Sequence, residues 1–171
     1  MKAAYAIAAM MLATGAAEAQ VSGDAIRIGV LNDRSGIYSD LAGEGSAIAA
    51  RMAIEEFGGT VLGNPVEILT ADHQNRPDIG AGTVRRWLDR EGVDAVADVP
   101  TSSVALAVQE VTRDGKAIFL MSGPATTALT GAACSPYGFH WTYDTHALAT
   151  GTARAVVERG GDTWFFLTSD Y

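Results

Sequence analysis

The chain has 171 residues, 48% hydrophobic and 19% charged, enough for one domain with a real core and unlike a disordered chain. Twelve basic residues stand against twenty acidic ones, a net charge of −8, and no Lys/Arg cluster is present. That balance argues against a nucleic-acid-binding face and against simple attraction to anionic lipid.

The first twenty residues, MKAAYAIAAMMLATGAAEAQ, read as a secretory signal. Lys2 supplies a short positive start, Ala3 to Ala13 an uncharged and mostly apolar run, and Ala17-Glu18-Ala19 the small residues a signal peptidase reads. The run is too short for a membrane-spanning helix. Cleavage after Ala19 removes one Lys and one Glu and leaves the net charge unchanged. It also puts the site of action outside the cytoplasm. The single cysteine, Cys134, has no internal disulfide partner.

Ala25 to Leu31 (AIRIGVL) predicts a buried strand. Leu41 to Phe57 predicts a helix with Ile48, Ala49, Met52, Ala53 and Phe57 on one stripe, stopped by Gly58-Gly59. Val66 to Ala71 predicts a second strand, followed by the polar loop HQNRPD and a helix to about Arg90 that buries Val84, Trp87 and Leu88. Val93 to Asp98 predicts a third strand. The next helix carries Val104, Ala107, Val108 and Val111 at i, i+3, i+4, i+7 spacing. Lys116 to Met121 predicts a fourth strand, and SGPATTALTGAACSPYG a loop with one short helical turn. Phe139 to Tyr143 predicts a fifth strand near an edge, Thr145 to Arg159 a helix, and Thr163 to Thr168 a sixth strand.

Strands that are continuous apolar runs alternating with helices predict a three-layer α/β/α parallel sheet, a Rossmann-like lobe. Ligands of such sheets bind at the carboxyl ends of strands, beside helix N-termini. Four loops therefore come forward: Asn32 to Asp40, Asp72 to Asp78, Val99 to Ser103 and Ser122 to Thr127. A strand that stops three residues before the end of the chain wants a further neighbour, so the sequence reads as the front part of a longer protein.

Thr101, Ser102 and Ser103 follow Pro100 at a helix start. A helix N-terminus presents unpaired N–H groups and about half a positive charge. One hydroxyl suffices to cap it; three in a row also suit a bound carboxylate. The next strand end repeats this chemistry in Ser122, Gly123, Pro124, Ala125, Thr126 and Thr127, and the first offers Ser35-Gly36 with Tyr38 as a wall. Neutral donors of this kind suit a small polar molecule rather than a polyphosphate.

Enzymatic patterns are weaker. No G-x-S-x-G elbow and no phosphate loop occurs. Gly43 to Ala49 (GEGSAIA) lacks the third glycine of a dinucleotide fingerprint. His73, His140 and His146 lack metal-ligand spacing, and a zinc site built from Asp72, His73 and His146 would need distant parts gathered together. No catalytic residue, metal or cofactor is expected.

The stretches IRIGVLNDRSGIYSDLAGEG, PVEILTADHQNRPDIG, VDAVADVPTSSVALAVQEV, KAIFLMSGPATTALTG and FHWTYDTHALATGTARAVVERGGDTWFFLTSDY, in this order and spacing, resemble the periplasmic substrate-binding proteins of ABC importers. The branch is type I, branched-chain-amino-acid-binding-like, and the resemblance spans Ile26 to Tyr171. It implies two α/β lobes joined by three hinge strands, a solute trapped as they close, and delivery to a membrane permease. The layout it implies is a signal peptide over 1–19, a first ligand-binding lobe over 20–143, and over 144–171 a crossover, helix and first strand of the second lobe. It also implies that the solute carboxylate meets Pro100, Thr101, Ser102 and Ser103 on one loop and Pro124, Ala125 and Thr126 on the other, beside Ser122. Tyr38 and Leu41 would line the pocket, and Tyr171 would reach it from the second lobe. Amino-acid binders tend to carry a tyrosine after Ser-Gly where the aligned position here is about Leu41, which leaves amino acids, aromatic acids and amides open as solutes. A sensory module of the same fold and a secreted α/β hydrolase are the alternatives.

Overall fold

The structure, a computed structural model, describes residues 23–168. The signal segment and Tyr171 lie outside the described residues. Six strands form one sheet: β1 (Ile26–Asn32), β2 (Thr60–Val61), β3 (Asn64–Asp72), β4 (Ala95–Asp98), β5 (Ile118–Met121) and β6 (Gly138–His140). Their order is β2-β3-β1-β4-β5-β6, parallel throughout except for β2 against β3. The helices are α1 (Gly43–Phe57), α2 (Pro77–Arg86), α3 (Ser102–Gly115) and α4 (Thr145–Glu158). The chain of α2 continues as a π-helical turn over Trp87–Glu91.

Local chemistry accounts for the helix ends. Pro77 opens α2 with its φ preset and Asp78 in the first turn, while Arg85 and Arg86 sit in its last turn, all favourable to the helix dipole. The following π turn stops at Gly92 in the left-handed conformation. Asp144 caps α4 by accepting from the Ala147 N–H at 2.7 Å.

One face of the sheet packs on α2 and α3. Val84, Trp87, Val104 and Val108 meet Leu31, Val96, Phe119 and Met121 there, all buried. Gly29 lets this layer close: a Cβ on it would lie 2.4 Å from Cζ3 of Trp87. On the other face α1 lies over the sheet, but a cavity of about 450 Å³ separates them, lined by Ile28, Val30, Ala97 and Leu120 below and by Ala50 and Ala53 above.

The predicted α/β layering and parallel sheet are observed, and Val84, Trp87, Val104 and Val108 are buried as the spacing predicts. Several details differ. In α1 the predicted stripe turns outward at Ile48, Met52 and Phe57; the buried positions are Gly43 and Ala47, in the first turns of the helix, before it runs out over the cavity. The β2 strand and its two-residue turn at Leu62-Gly63 were not foreseen; Leu62 and Gly63 both take positive φ, as a primed hairpin turn requires. The predicted sixth strand does not form: residues 161–168 have no regular structure, and Phe165 and Leu167 are more than nine-tenths exposed. Among the described residues no strand pairs with this segment, and a lone strand leaves its backbone groups without partners. The fifth predicted strand lies at the sheet edge as expected, but ends at His140.

Candidate functional site at the carboxyl edge of the sheet

The strand register sets the carboxyl edge. Asn32 stands opposite Asp72, Leu31 opposite Asp98, and Asp98 opposite Met121. The loops leaving β1, β3, β4 and β5 therefore emerge side by side, and a series of hydrogen bonds knits each to the next. Asp33, buried at the end of β1, accepts from the N–H groups of Gly36 (2.9 Å) and Tyr38 (3.0 Å) and folds the 34–38 turn around itself. Asp72, at the end of β3, accepts from the Arg34 N–H (3.1 Å), the Ser35 hydroxyl (2.5 Å) and the Gln74 N–H (2.7 Å), tying the β1 and β3 loops together. Asp98 accepts from the Ser122 hydroxyl (2.6 Å) and the Asn32 amide (3.1 Å), tying β4 to β5 and β1.

The β4 and β5 loops also meet directly. The Ser102 hydroxyl oxygen accepts from the N–H groups of Ala125 (3.2 Å) and Thr126 (3.3 Å). Gly123 passes against Pro100, with room for a Cβ only 3.0 Å from the Pro100 Cα. Pro100 and Pro124 are buried beneath this junction. Thr126 is also buried, and its hydroxyl caps the 3-10 turn Thr127–Leu129 by accepting from the Ala128 N–H. Ala125 has a second attachment: its carbonyl accepts from the N–H of Thr145, the first residue of α4, at 2.7 Å.

Thr101 is the N-cap residue of α3, in extended conformation, yet its hydroxyl makes no capping bond. Its Oγ1 is shielded from solvent and without a hydrogen-bond partner. The first intrahelical bond runs from the Ala105 N–H to the Thr101 carbonyl, so the N–H groups of Ser102, Ser103 and Val104 precede it. Ser103 is half-exposed on this first turn.

The structure thus brings Pro100, Thr101, Ser102, Ser103, Ser122, Pro124, Ala125 and Thr126 into one place. Tyr38 is half-buried on the neighbouring turn, where its carbonyl accepts from the Leu41 and Ala42 N–H groups; Leu41 is largely exposed. Tyr171 lies outside the described residues. Asn32, Asp33 and Asp72 fall in loops that the sequence brings forward, but their part as tethers was not read there, and Asp98 was passed over altogether. The signal was there: β1 is followed by aspartate, and β3 and β4 each end in it.

His73 sits behind this edge, fully buried, its Nδ1 accepting from the Asn75 N–H at 3.0 Å. Neutral His73 thus carries its proton on Nε2, which has no partner. Burial pushes the imidazole below its ordinary pKa and outweighs the attraction of Asp33, Asp72 and Asp98. Burial acts to raise the Asp72 carboxyl, but its bonds from Ser35, Arg34 and Gln74 prevail and hold it below the usual range. Among the described residues no group of three or more His, Cys, Asp or Glu is arranged to hold a metal ion, and no helix is long and apolar enough to cross a membrane. Cys134 is a free, exposed thiol.

The family model described as periplasmic binding protein matches residues 25–171. A periplasmic binding protein from Burkholderia mallei is similar at 45% identity and a TM-score of 0.84, over 86% of this chain and 40% of its own. A branched chain amino acid ABC transporter periplasmic ligand-binding protein from Burkholderia xenovorans is similar at 36% identity and a TM-score of 0.74, over 79% of this chain and 36% of its own. A solute binding protein of an ABC transporter from Rhodopseudomonas palustris, solved with 3,4-dihydroxybenzoic acid, shares the fold at 19% identity and a TM-score of 0.74, over 81% of this chain and 37% of its own. This chain therefore spans 40% or less of the length of each of these structures. No curated protein matches it.

Proposed function

Because the chain belongs to the periplasmic binding protein family, we propose that it forms the first ligand-binding lobe of an extracytoplasmic solute-binding protein of an ABC importer. The protein captures a small carboxylate-bearing solute, an amino acid or an aromatic acid, between two lobes and delivers it to a membrane permease. It does so without chemistry, by a shift of population toward the closed form that the solute prefers. The first lobe runs to about residue 143; α4 and the segment after it begin the second. The secretory segment directs the protein to the periplasm.

One observation carries this reading: the Thr101 hydroxyl, shielded and unpartnered at the N-terminus of α3. A buried polar atom without a partner is costly unless something supplies one. A carboxylate lying across Thr101 Oγ1 and the N–H groups of Ser102 and Ser103 would satisfy all three and gain from the helix dipole. In this scheme Ser102 and Ser122 hold the two loops at the spacing the carboxylate needs. Pro100, Pro124, Ala125 and Thr126 form the floor, and Tyr38 and Leu41 the side wall. The branched-chain relative from B. xenovorans supports an amino-acid solute.

The test measures melting shifts of the full-length protein with L-leucine, benzoate, 4-hydroxybenzoate and benzamide. An acid is expected to raise the melting temperature by several degrees with no product formed, and benzamide is not. The same acid should bind Thr101→Ala about tenfold or more weakly by calorimetry, a loss of roughly 1–3 kcal/mol. The melting temperature without solute should barely change, since the hydroxyl makes no capping bond. Unchanged affinity in Thr101→Ala removes this helix end from the site, and turnover of any probe overturns the binding role.

A further inference from the structure

Asp98 ends β4 almost fully buried and reaches in two directions. One carboxylate oxygen accepts from the Ser122 hydroxyl at the end of β5, the other from the Asn32 amide at the end of β1. The same Asn32 amide donates to the Gly43 carbonyl at the start of α1, at 2.6 Å. A single acidic side chain therefore gathers three strand ends and one helix start. The backbone here is unusual as well: Asp98 has φ of +80° and Val99 of +56°. Left-handed conformation in two successive non-glycine residues, one of them β-branched, is costly and persists only where the surroundings enforce it. The enforcement is visible. Val99 donates to the Leu31 carbonyl at 2.9 Å, and the Asp98 carboxylate is held at both ends. The turn made by these two residues aims Pro100 and Thr101, and with them the N-terminus of α3.

We propose that Asp98 is a positioning residue for solute capture, its carboxylate fixing the distance between the two hydroxyl-bearing loops through Ser122 and bracing both against the end of β1 through Asn32. This rests on the binding role proposed above. The carboxylate itself does not touch the solute. It holds the strained turn that presents Thr101 and sets where Ser122 stands.

Three substitutions in the full-length protein separate the tether from the turn. Asp98→Gly relieves the positive φ but deletes the tether. Asp98→Ala deletes the tether and keeps the strain. Asp98→Asn keeps both hydrogen bonds, its amide donating to Ser122 and its carbonyl oxygen accepting from Asn32. The readouts are affinity for L-leucine or 4-hydroxybenzoate, whichever stabilises the wild type, and amide exchange at Ala125 and Thr126. Asp98→Gly should melt at or above Asp98→Ala, yet both should bind about tenfold or more weakly and exchange these amides faster. Asp98→Asn should restore affinity and protection to within about threefold. If Asp98→Ala does not fold, Asp98→Gly carries the comparison. Wild-type affinity and protection in Asp98→Gly, or failure of Asp98→Asn to rescue, overturns the proposal. If no acid stabilises the wild type, the solute class falls instead, and the exchange rates alone decide whether Asp98 positions the loops.

Discussion

Ser102 and Thr101 are neighbours with opposite duties. The Ser102 hydroxyl is spent on two backbone N–H groups of the facing loop, whereas the Thr101 hydroxyl has nothing to bond. Sequence reasoning found the cluster of hydroxyls but could not divide the labour, because the partners of Ser102 lie more than twenty residues away. It likewise passed over His73 as a loop residue, since burial is a property of the fold and not of the HQN stretch. That burial has a measurable consequence. The folded-state pKa of His73 is depressed, so the unfolded chain takes up a proton that the folded chain refuses. Its contribution to stability is full above the unfolded value, about 6.5, and is lost as pH falls from there toward the depressed folded value. Asp72, also depressed, adds a further loss in more acidic solution. Urea denaturation between pH 7.5 and 5.5 should show the wild type losing stability faster than His73→Gln. Parallel slopes would mean that His73 takes up its proton as readily folded as unfolded.

At the scale of elements, the helices were the most legible part. The apolar spacing from Val104 to Val111 announces the buried face of α3, whereas Pro77 and Asp78, read as the end of a polar loop, form the first turn of α2, because proline and an acid suit a helix start as well as a loop. Strand bounds were less so: β4 and β5 each begin two residues later than the apolar run suggests, because hydrophobicity marks burial while pairing marks the strand. The orientation of α1 misled the spacing argument, since a helix rich in alanine offers more than one apolar stripe. A tight junction lies between Gly29 of β1 and the indole of Trp87. Gly29→Ala should destabilise the protein by about 1–3 kcal/mol, as overpacked cores do. Combined with Trp87→Leu, the loss should be smaller than the sum of the two single changes, read from urea midpoints. Strict additivity would show that the glycine is needed for its backbone and not for the ring.

For the molecule as a whole, the two sheet faces are unequal. One is sealed by α2 and α3. The other has α1 above a cavity, with Phe139 and Trp141 largely open beside it. Every residue of α4 is outside the core, and Trp164 stacks on Phe166 in a segment without regular structure. Large apolar side chains this exposed mark surfaces that another surface can cover. Residues 20–171 alone should therefore bind an apolar fluorescent dye far more strongly per mole than the full-length protein, and equal fluorescence would show that this surface stays bare in both. The proposed second lobe was readable from the break in pattern after Thr168 and from the family resemblance, not from the apolar spacing of the segment itself. The link between Ala125 and Thr145 gives the arrangement a mechanical meaning. One N–H···O=C bond of 2.7 Å fastens the start of α4 to the loop that follows β5, so the departing helix is anchored by backbone alone to the same loop that carries Thr126.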